Sequence, residues 1–356
     1  MQKRIEALRG EMNKSNMEAI LISHPINRRY ITGFTGSAGL ALITQNEALL
    51  ITDFRYVTQV QEQVPHMTLV KHEGPILETV AQSAQQLGIQ TLSFEQDHLT
   101  FAQHHELQEA LGKIATAPVS GVIENLRMFK DEEELSLIRK ACQIADQTFE
   151  RIIQEIKPGM RELDVALRLE FIMRDLGASS SSFDIIVASG KRGALPHGTA
   201  SEKVLEKGDL VTMDFGAWYQ GYASDITRTI ILGQPSEKQK EIYDIVLEAG
   251  KRSIAVIRPG ITGIEADAAA RDYITEHGYG EYFGHSTGHG LGLEVHELPR
   301  LSVKGEEELK PGMVVTVEPG IYLSELGGVR IEDDVVVTED GCEVLTHCTK
   351  DLIIID

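Results

Sequence analysis

The sequence has few cysteines, no long apolar run and no excess of positive charge. Its three cysteines, Cys142, Cys342 and Cys348, form no zinc-binding pattern, and their odd number does not indicate a disulfide framework. No segment approaches the roughly 18 consecutive apolar residues of a membrane-spanning helix. The first residues form a charged amphipathic pattern without the apolar core of a secretory signal. We therefore expect reduced thiols and a cytoplasmic location.

The charge balance argues against anionic partners. The chain has 34 basic and 54 acidic residues, a formal net charge of −20. Neither nucleic acid nor an anionic membrane is therefore an expected partner. Apolar residues make up 42% of the chain and charged residues 25%, as in ordinary globular proteins, and a length of 356 residues predicts about two domains.

The first third of the sequence alternates between strand-like and helix-like patterns, which predicts a small α/β domain. Each predicted helix is followed by a glycine, as helix ends prefer. Residues 117–127 contain Pro118 and Gly121 and are predicted to be a linker, so we expect domains at 1–124 and 125–356. The predicted strands are 19–23, 40–44, 48–52 and 91–94, and the predicted helices are 75–87 and 101–111.

A repeated segment indicates that the second domain is built from two related halves. The sequence IKPGMRELD, which begins at Ile156, reappears as IRPGITGIE at Ile257, and each copy follows a long helical pattern. Further along, KGDLVTMDFG resembles KPGMVVTVEPG. This alignment sets Asp214 against Glu318, and a later strand sets Asp225 against Glu332.

These four acids lie within or beside apolar, β-branched runs. An unpaired carboxylate in such a run costs several kcal/mol unless a cation or hydrogen bonds compensate it. The alternative is that the acids occupy the exposed face of half-buried strands. A turn centred between Tyr219 and Gln220 would place Asp214 and Asp225 directly opposite each other on antiparallel strands, a spacing that suits two acids sharing a metal.

Histidines cluster in the glycine-rich segment GHSTGHGLGLEVHE. His285 and His289 are four residues apart, but the intervening glycines disfavour a helix. A loop or strand of this kind allows the backbone to approach a ligand closely, so that one histidine binds metal while others face substrate. His296 follows in the same segment, and His197 lies in a similar turn-rich segment. The alternative for each is a loop histidine without a special role.

Four carboxylates and one imidazole favour hard or borderline metal ions. Mn²⁺ is the expected ion, with Co²⁺ or Zn²⁺ as alternatives, and four carboxylates nearly balance the charge of two divalent ions. Because metal ions lower the pKa of bound water, such a site suits hydrolysis of an amide or a phosphoester. The metal chemistry alone does not select between them.

The order Asp-Asp-His-Glu-Glu, in MDFG, SDITR, GHGLG, VEPGIY and VRIEDD, resembles that of the pita-bread metallopeptidases. The similarity is to the Xaa-Pro branch, aminopeptidase P and proline dipeptidase. The segments NRRYITGFTGSAG and TDFRY resemble the creatinase-like domain of this branch, which the simplest methionine aminopeptidases lack. The resemblance implies an α+β fold, in which a C-terminal pita-bread catalytic domain follows a smaller α/β creatinase-like N-terminal domain.

The resemblance also implies a ligand set for two divalent ions. Asp225 and Glu332 would bridge both ions, Asp214 would complete the coordination of one, and His289 with Glu318 that of the other. Glu318 would in addition carry a proton from the attacking water to the departing proline nitrogen.

Further residues are implied as substrate contacts. His285 and His296 would bind substrate and stabilise the oxyanion, and His197 would line the proline side of the cleft. Tyr322 and Arg330 occupy positions at which the family places supporting groups, although Arg330 is equally compatible with a structural ion pair.

The expected function is metal-dependent hydrolysis of the bond between an N-terminal residue and a following proline. A dipeptidase is preferred, and an aminopeptidase acting on longer peptides is the alternative. A non-catalytic peptide-binding homologue is disfavoured because the ligand set is complete, and a creatinase is disfavoured because that enzyme uses no metal. The resemblance also implies a homodimer in which the N-terminal domain narrows the cleft, with Arg55 and Tyr56 as candidate contributors.

Overall fold

The computed structural model describes all 356 residues. They form two compact units, Met1–Arg127 and Met128–Asp356, so the division lies close to the predicted boundary at 124 and 125. None of the helices is both long enough and apolar enough to cross a membrane. The architecture mixes helices with parallel and antiparallel sheets, as expected for the predicted α+β class.

The first unit is an α/β domain with one six-stranded sheet in the order β4-β3-β2-β1-β5-β6. Strands β1, β5 and β6 are parallel, and β2 is antiparallel to both β1 and β3. The elements are α1 (Gln2–Lys14), β1 (Ala19–Ile22), α2 (Pro25–Thr32), β2 (Leu40–Thr44), β3 (Ala48–Thr52), a 3₁₀ turn (Phe54–Tyr56), α3 (Val57–Gln63), β4 (Thr68–Lys71), α4 (Ile76–Gln86), β5 (Thr91–Glu95), α5 (Phe101–Leu111), β6 (Ala115–Val119) and α6 (Val122–Arg127).

The predicted linker at 117–127 is wrong. These residues form the end of β6 and the whole of α6. The proline that indicated a linker, Pro118, lies on β6, and this strand is at the edge of the sheet. A proline is tolerated there because its missing N–H removes no hydrogen bond to a further strand. Gly121 adopts φ = 72° just before α6 and serves as a turn between two regular elements.

The first half of the second unit begins with a helix pair and continues as a hairpin. Asp131 and Glu134 form a capping box at the start of α7, because the side chain of each accepts a hydrogen bond from the backbone N–H of the other. The elements are α7 (Glu132–Ile152), α8 (Glu162–Asp175), β7 (Ser180–Ser181), β8 (Ile186–Ser189), a 3₁₀ turn (Gly190–Ala194), β9 (Leu210–Phe215), β10 (Ala217–Tyr219), β11 (Tyr222–Ala223) and β12 (Ile226–Leu232).

The second half also begins with a helix pair that is followed by strands. Thr262 and Glu265 form the capping box of its second helix, within the repeated segment. The elements are α9 (Glu237–Val256), α10 (Gly263–Glu276), a 3₁₀ turn (Gly280–Tyr282), β13 (Gly288–Gly290), β14 (Glu297–Leu301), β15 (Val314–Val317), β16 (Gly320–Leu323), β17 (Gly327–Arg330), β18 (Asp333–Val337), β19 (Cys342–Val344) and β20 (Ile354–Ile355).

The duplication is visible in the sheets. In the first half, β9 lies between β8 and β12, and in the second half β15 lies between β13 and β18, with every pairing antiparallel. The core of the first half joins Phe149 and Leu169 of the helices to β9, and a core of the second half joins Ala266 to β15 and β18. Each half therefore buries a hairpin under its own helices.

Candidate metal centre

The four acids of the predicted set are all withdrawn from solvent. Asp214 lies in β9, every residue of which is buried, and Asp225 immediately precedes β12. Glu318 immediately follows β15, and Glu332 immediately precedes β18. The residue exposures of Asp214, Asp225 and Glu332 are 9%, 5% and 1%, and the side chain of Glu318 is 17% exposed. The alternative that these acids occupy a solvent-facing strand surface is therefore wrong.

The register of the first hairpin differs from the prediction. The turn consists of Gln220 and Gly221, with φ values of 48° and 90°, which is one residue later than predicted. Asp214 consequently lies opposite Thr227, and Asp225 is its diagonal neighbour on the same face. The prediction that the two aspartates are directly opposite is wrong, although both side chains still face the same way.

In the second hairpin the two glutamates occupy directly opposed positions. Val317 pairs with Asp333 at the end of one ladder, and Gly320 pairs with Arg330 at the start of the next. Glu318 and Glu332 lie between these ladders in the same register. Each is one residue outside a regular strand.

The histidine of the predicted set lies among these acids. His289 lies in β13, and its Nε2 is 3.7 Å from Oδ2 of Asp225 and 3.4 Å from Oε1 of Glu318. One ligand atom from each of Asp225, His289 and Glu332 lies within 4.8 Å of the others. Burial lowers the pKa of His289 to about 4, which keeps the imidazole neutral, as a metal ligand requires.

Several carboxylate oxygens at the centre have no hydrogen-bond partner. These buried atoms are Oδ1 of Asp214, Oδ1 of Asp225 and Oε1 of Glu332. Burial, followed by the charges of neighbouring acids, raises the pKa of Asp225 and of Glu332 well above their usual values, and burial raises the pKa of Glu318 to about 8. Bound cations would take the partnerless oxygens as ligands and would balance the buried negative charge. The residues present therefore fit a pair of divalent ions.

A chain of hydrogen bonds links Asp214 to the predicted substrate side. Arg330 Nη2 donates to Oδ2 of Asp214 at 2.5 Å, and its Nη1 donates to the Tyr322 hydroxyl at 2.8 Å. That hydroxyl lies 2.8 Å from Nε2 of His285, whose Nδ1 lies 2.8 Å from the carbonyl oxygen of Ser286. The structural ion pair considered for Arg330 is thus present, and both ring nitrogens of His285 are hydrogen-bonded.

The other two predicted histidines, His296 and His197, lie near His289 and His285. The ring centroid of His296 is 4.4 Å from that of His289. Burial lowers the pKa of His296, and the charges of His197 and Arg300 act in the same direction. His197 and His285 are also close enough for the charge of one to lower the pKa of the other. All predicted residues of the second unit are therefore brought together.

The two candidates in the first unit are engaged locally. Arg55 forms a two-pronged ion pair with Asp53, at 2.8 and 2.7 Å, and the Tyr56 hydroxyl lies 2.7 Å from Oγ of Ser37. Their proposed contribution to the cleft stays a prediction.

Sequence reasoning missed Arg300. This residue lies in β14 directly opposite His289, so its side chain is on the same face of the sheet. It is exposed, it forms no ion pair with any residue of the chain, and its charge lowers the pKa of His296. No sequence pattern distinguishes it, because the face of an arginine on a strand is known only when the register of that strand is known.

Two family models together cover most of the chain. The model of metallopeptidase family M24 matches residues 136–339, which include all five predicted ligands, and the creatinase/prolidase N-terminal domain matches residues 4–129. The chain belongs to metallopeptidase family M24. The predicted α+β pita-bread fold with a creatinase-like N-terminal domain is therefore confirmed, as is the prediction of a metallopeptidase. M24 enzymes use divalent metals, and the centre described above is a possible site for them.

Relatives of this M24 chain match along its whole length. A structure described as Xaa-Pro dipeptidase from Bacillus anthracis is 54% identical, with a TM-score of 0.97 and coverage of 99% of both chains. An Xaa-Pro dipeptidase of Pyrococcus furiosus is 43% identical, covering 99% of this chain and 100% of the relative. An X-Pro aminopeptidase structure from Thermotoga maritima is 40% identical, with a TM-score of 0.91 and coverage of 97% and 100%.

Proposed function

We propose that the chain is a dinuclear Xaa-Pro dipeptidase, which hydrolyses the bond between an N-terminal residue and a C-terminal proline. The observation that carries the proposal is the convergence of Asp225, His289 and Glu332 in a buried centre with partnerless carboxylate oxygens. The relatives described as Xaa-Pro dipeptidases, at 43% and 54% identity over the full chain, support the substrate class.

Five residues would hold the two ions: Asp214, Asp225, His289, Glu318 and Glu332. The oxygen-rich donor set favours Mn²⁺, with Co²⁺ or Zn²⁺ as alternatives. When bound, the ions would supply Lewis acidity to the scissile carbonyl and lower the pKa of water. Because the four carboxylates carry up to four negative charges, two divalent ions would nearly neutralise the centre.

Glu318 is the proposed general base and acid. Its Oε1 accepts a hydrogen bond from the Thr316 hydroxyl at 3.4 Å, and its Oε2 lies 3.8 Å from Nδ1 of His285, at the edge of the centre. It would accept a proton from the attacking water and return it to the departing proline nitrogen. Bound cations would offset the burial of this carboxylate and keep it ionised, as a general base requires.

The neighbouring histidines divide the substrate contacts. His296 is exposed and its ring forms no hydrogen bond with the chain, so its N–H is free to donate to the oxyanion of the tetrahedral intermediate. Both ring nitrogens of His285 are hydrogen-bonded, to Tyr322 and to Ser286, and this holds the ring beside Glu318. A direct contact of His285 with substrate would replace one of these two hydrogen bonds. His197 would line the proline side of the cleft.

Arg300 supports a dipeptidase rather than an aminopeptidase. A dipeptidase must bind the free carboxylate of its substrate, whereas an aminopeptidase leaves that side open. Arg300 is an unpaired guanidinium on the same face as His289, and guanidinium groups bind carboxylates through two parallel hydrogen bonds. The Thermotoga maritima relative keeps the aminopeptidase as the second candidate.

Hydrolysis of Ala-Pro and Ala-Pro-Ala tests the proposal. The purified protein, stripped with chelator and reloaded separately with Mn²⁺, Co²⁺ or Zn²⁺, is expected to cleave Ala-Pro with the highest recovery in Mn²⁺. Arg300→Met is expected to lower kcat/KM for Ala-Pro by about 10- to 100-fold, the loss of one charge-assisted pair, while affecting Ala-Pro-amide much less. Lys304→Met removes an exposed cation four residues further along the chain and is the control. Comparable wild-type turnover of Ala-Pro-Ala would instead identify an aminopeptidase.

The proposal includes a reducing compartment, the cytoplasm, which is supported by the three free cysteines.

The proposal also includes a homodimer. Phe54, whose exposure is 76%, lies beside Arg55 and Tyr56 and is an apolar side chain that a partner subunit could cover. Light scattering on the purified chain measures its mass in solution.

A further inference from the structure

The segment that carries His285 has no regular structure of its own. Residues 283–287 connect the 3₁₀ turn at Gly280–Tyr282 to β13. A Cβ added at Gly284 would meet no atom within 4 Å, so side-chain packing does not fix the backbone there. A glycine in such a position adds backbone freedom. Something else must therefore hold the histidine at the edge of the centre.

Arg271 of α10 holds one end of this segment. Its Nη1 donates to the carbonyl oxygen of Phe283 at 3.0 Å, and its Nη2 donates to the carbonyl oxygen of His285 at 2.7 Å. The guanidinium also lies over the Phe283 ring, 4.3 Å from its centroid. One arginine thus fixes two carbonyl groups on either side of Gly284.

Asp267, one helical turn earlier on α10, holds the other end. This residue is 1% exposed, and its Oδ1 accepts from the backbone N–H of Thr287 at 3.1 Å and from the Thr287 hydroxyl at 2.7 Å. The carbonyl oxygen of Thr287 in turn accepts from the backbone N–H of Glu318 at 2.7 Å. The position of Asp267 is therefore transmitted to the proposed proton carrier.

The two side chains also fix each other. Arg271 Nε lies 2.7 Å from Oδ2 of Asp267, and its Nη2 lies 2.8 Å from Oδ1. A two-pronged arginine–carboxylate pair is more rigid than a single contact. Neither residue belongs to the proposed ligands, and both lie on α10.

We propose that Asp267 and Arg271 are positioning residues, which set His285 and Glu318 in place for the chemical step. The inference rests on the proposed peptidase function, because its consequence is measured on peptide cleavage. A displacement of about 1 Å at a reacting group costs on the order of 100-fold in rate. Loss of the arginine is therefore expected to lower kcat while leaving metal binding in place.

The chain contains a matched control pair on the neighbouring helix. Arg252 of α9 also pairs with an acid one turn earlier, since its Nε lies 2.9 Å from Oε1 of Glu248. It also lies over an aromatic ring, 3.9 Å from the centroid of Tyr273. No hydrogen bond joins Arg252 to the 283–287 segment. This pair is a single contact between more exposed side chains. Arg252→Met therefore removes an arginine–acid pair and a stacking contact of the same type without releasing His285.

The experiment compares wild type, Arg271→Met, Arg271→Lys and Arg252→Met, each loaded with Mn²⁺. Steady-state cleavage of Ala-Pro gives kcat and KM, calorimetric titration gives the Mn²⁺ affinity, and hydrogen–deuterium exchange reports on the peptide containing 283–288. Arg271→Met is expected to lower kcat about 10- to 100-fold, as supporting residues of a metal centre do, and to speed exchange of that peptide. Arg252→Met is expected to resemble wild type in all three measurements.

The outcomes separate this inference from the proposed function. A wild-type protein that binds Mn²⁺ but does not cleave Ala-Pro contradicts the function, while faster exchange in Arg271→Met still supports the holding role. Wild-type kcat and exchange in Arg271→Met overturn the inference. If Arg271→Met does not fold, Arg271→Lys decides: a single ammonium cannot satisfy two carbonyls and Asp267 together, so a lowered kcat supports the inference and an unchanged kcat overturns it.

Discussion

In the first half-domain Asp214 and Asp225 lie diagonally across a hairpin, whereas in the second half Glu318 and Glu332 face each other directly. Diagonal positions are about 7–8 Å apart and direct ones about 4.5–5.5 Å. The duplicated strands therefore supply an acid pair each without reproducing its register. Because all four side chains still face one centre, the constraint is the shared face of each hairpin rather than a fixed spacing.

The two halves also differ in how the acids are compensated. Asp214 of the first half receives Arg330, an arginine contributed by the second half. Glu318 and Glu332 form no ion pair with a lysine or arginine, and burial raises the pKa of both. Asp225 of the first half is likewise unpaired, and burial raises its pKa as well. Asp214 is therefore the one acid of the four that has an arginine partner, and the other three depend more strongly on bound cations.

Removal of one ligand from each half is expected to have the largest effect. Asp225→Asn with Glu332→Gln keeps the shape of both side chains but removes the charges proposed to bridge the ions. Activity on Ala-Pro is expected to fall by about 1,000-fold or more, and calorimetry is expected to detect no tight Mn²⁺ binding. Glu339→Gln with Asp340→Asn, an exposed pair beyond β18, makes the same chemical change as a control. Full activity in the first variant contradicts the proposed metal mechanism.

Neutralising one acid in each half of the metal-free protein tests the difference in compensation. Asp214→Asn leaves the buried Arg330 without its carboxylate and is expected to destabilise the protein by about 3–5 kcal/mol. Glu318→Gln leaves no charge behind. Since the folded-state pKa of Glu318, about 8, lies above its unfolded value, its protonation stabilises the fold at low pH, and this contribution is lost as pH rises through 8.

Urea unfolding in the presence of chelator, at pH 6 and at pH 8.5, measures both effects. The wild-type protein is expected to lose stability between these pH values, Glu318→Gln to lose less, and Asp214→Asn to be the least stable at both. If Asp214→Asn and Glu318→Gln lowered the free energy of unfolding equally, the pairing of Asp214 with Arg330 would not make that acid different from Glu318.

Much of this architecture could be predicted because it depends on local patterns. The predicted bounds match those of two strands and one helix, at 40–44, 48–52 and 101–111. Apolar periodicity defines all three elements, and a following glycine marks the end of the helix. Four of the five predicted ligands could be selected because buried acids are costly in β-branched runs, and His289 because it lies in a glycine-rich segment with other histidines. Their convergence followed from a duplication that is visible in the sequence.

Features that depend on register or on sheet position could not be predicted. Pro118 indicated a linker because the sequence does not reveal that β6 is an edge strand. Arg300 was missed because its pairing with His289 depends on a bulged ladder. The first hairpin turn was placed one residue early because Gln220, with φ = 48°, is not a residue type that usually adopts positive φ.

That turn offers the smallest and most local test of the comparison between the hairpins. Both Gln220 and Gly221 have positive φ, which two-residue turns between antiparallel strands require and which Asn-Gly satisfies best. Gln220→Asn is expected to raise the free energy of unfolding by about 0.5–1 kcal/mol, because asparagine adopts this backbone conformation at lower cost. Activity is expected to stay at the wild-type level, since the register and hence the face of Asp214 and Asp225 are unchanged. Urea unfolding and Ala-Pro cleavage measure the two quantities. A gain in stability with lost activity would mean that the strained turn, and not only the register, sets the positions of the two aspartates.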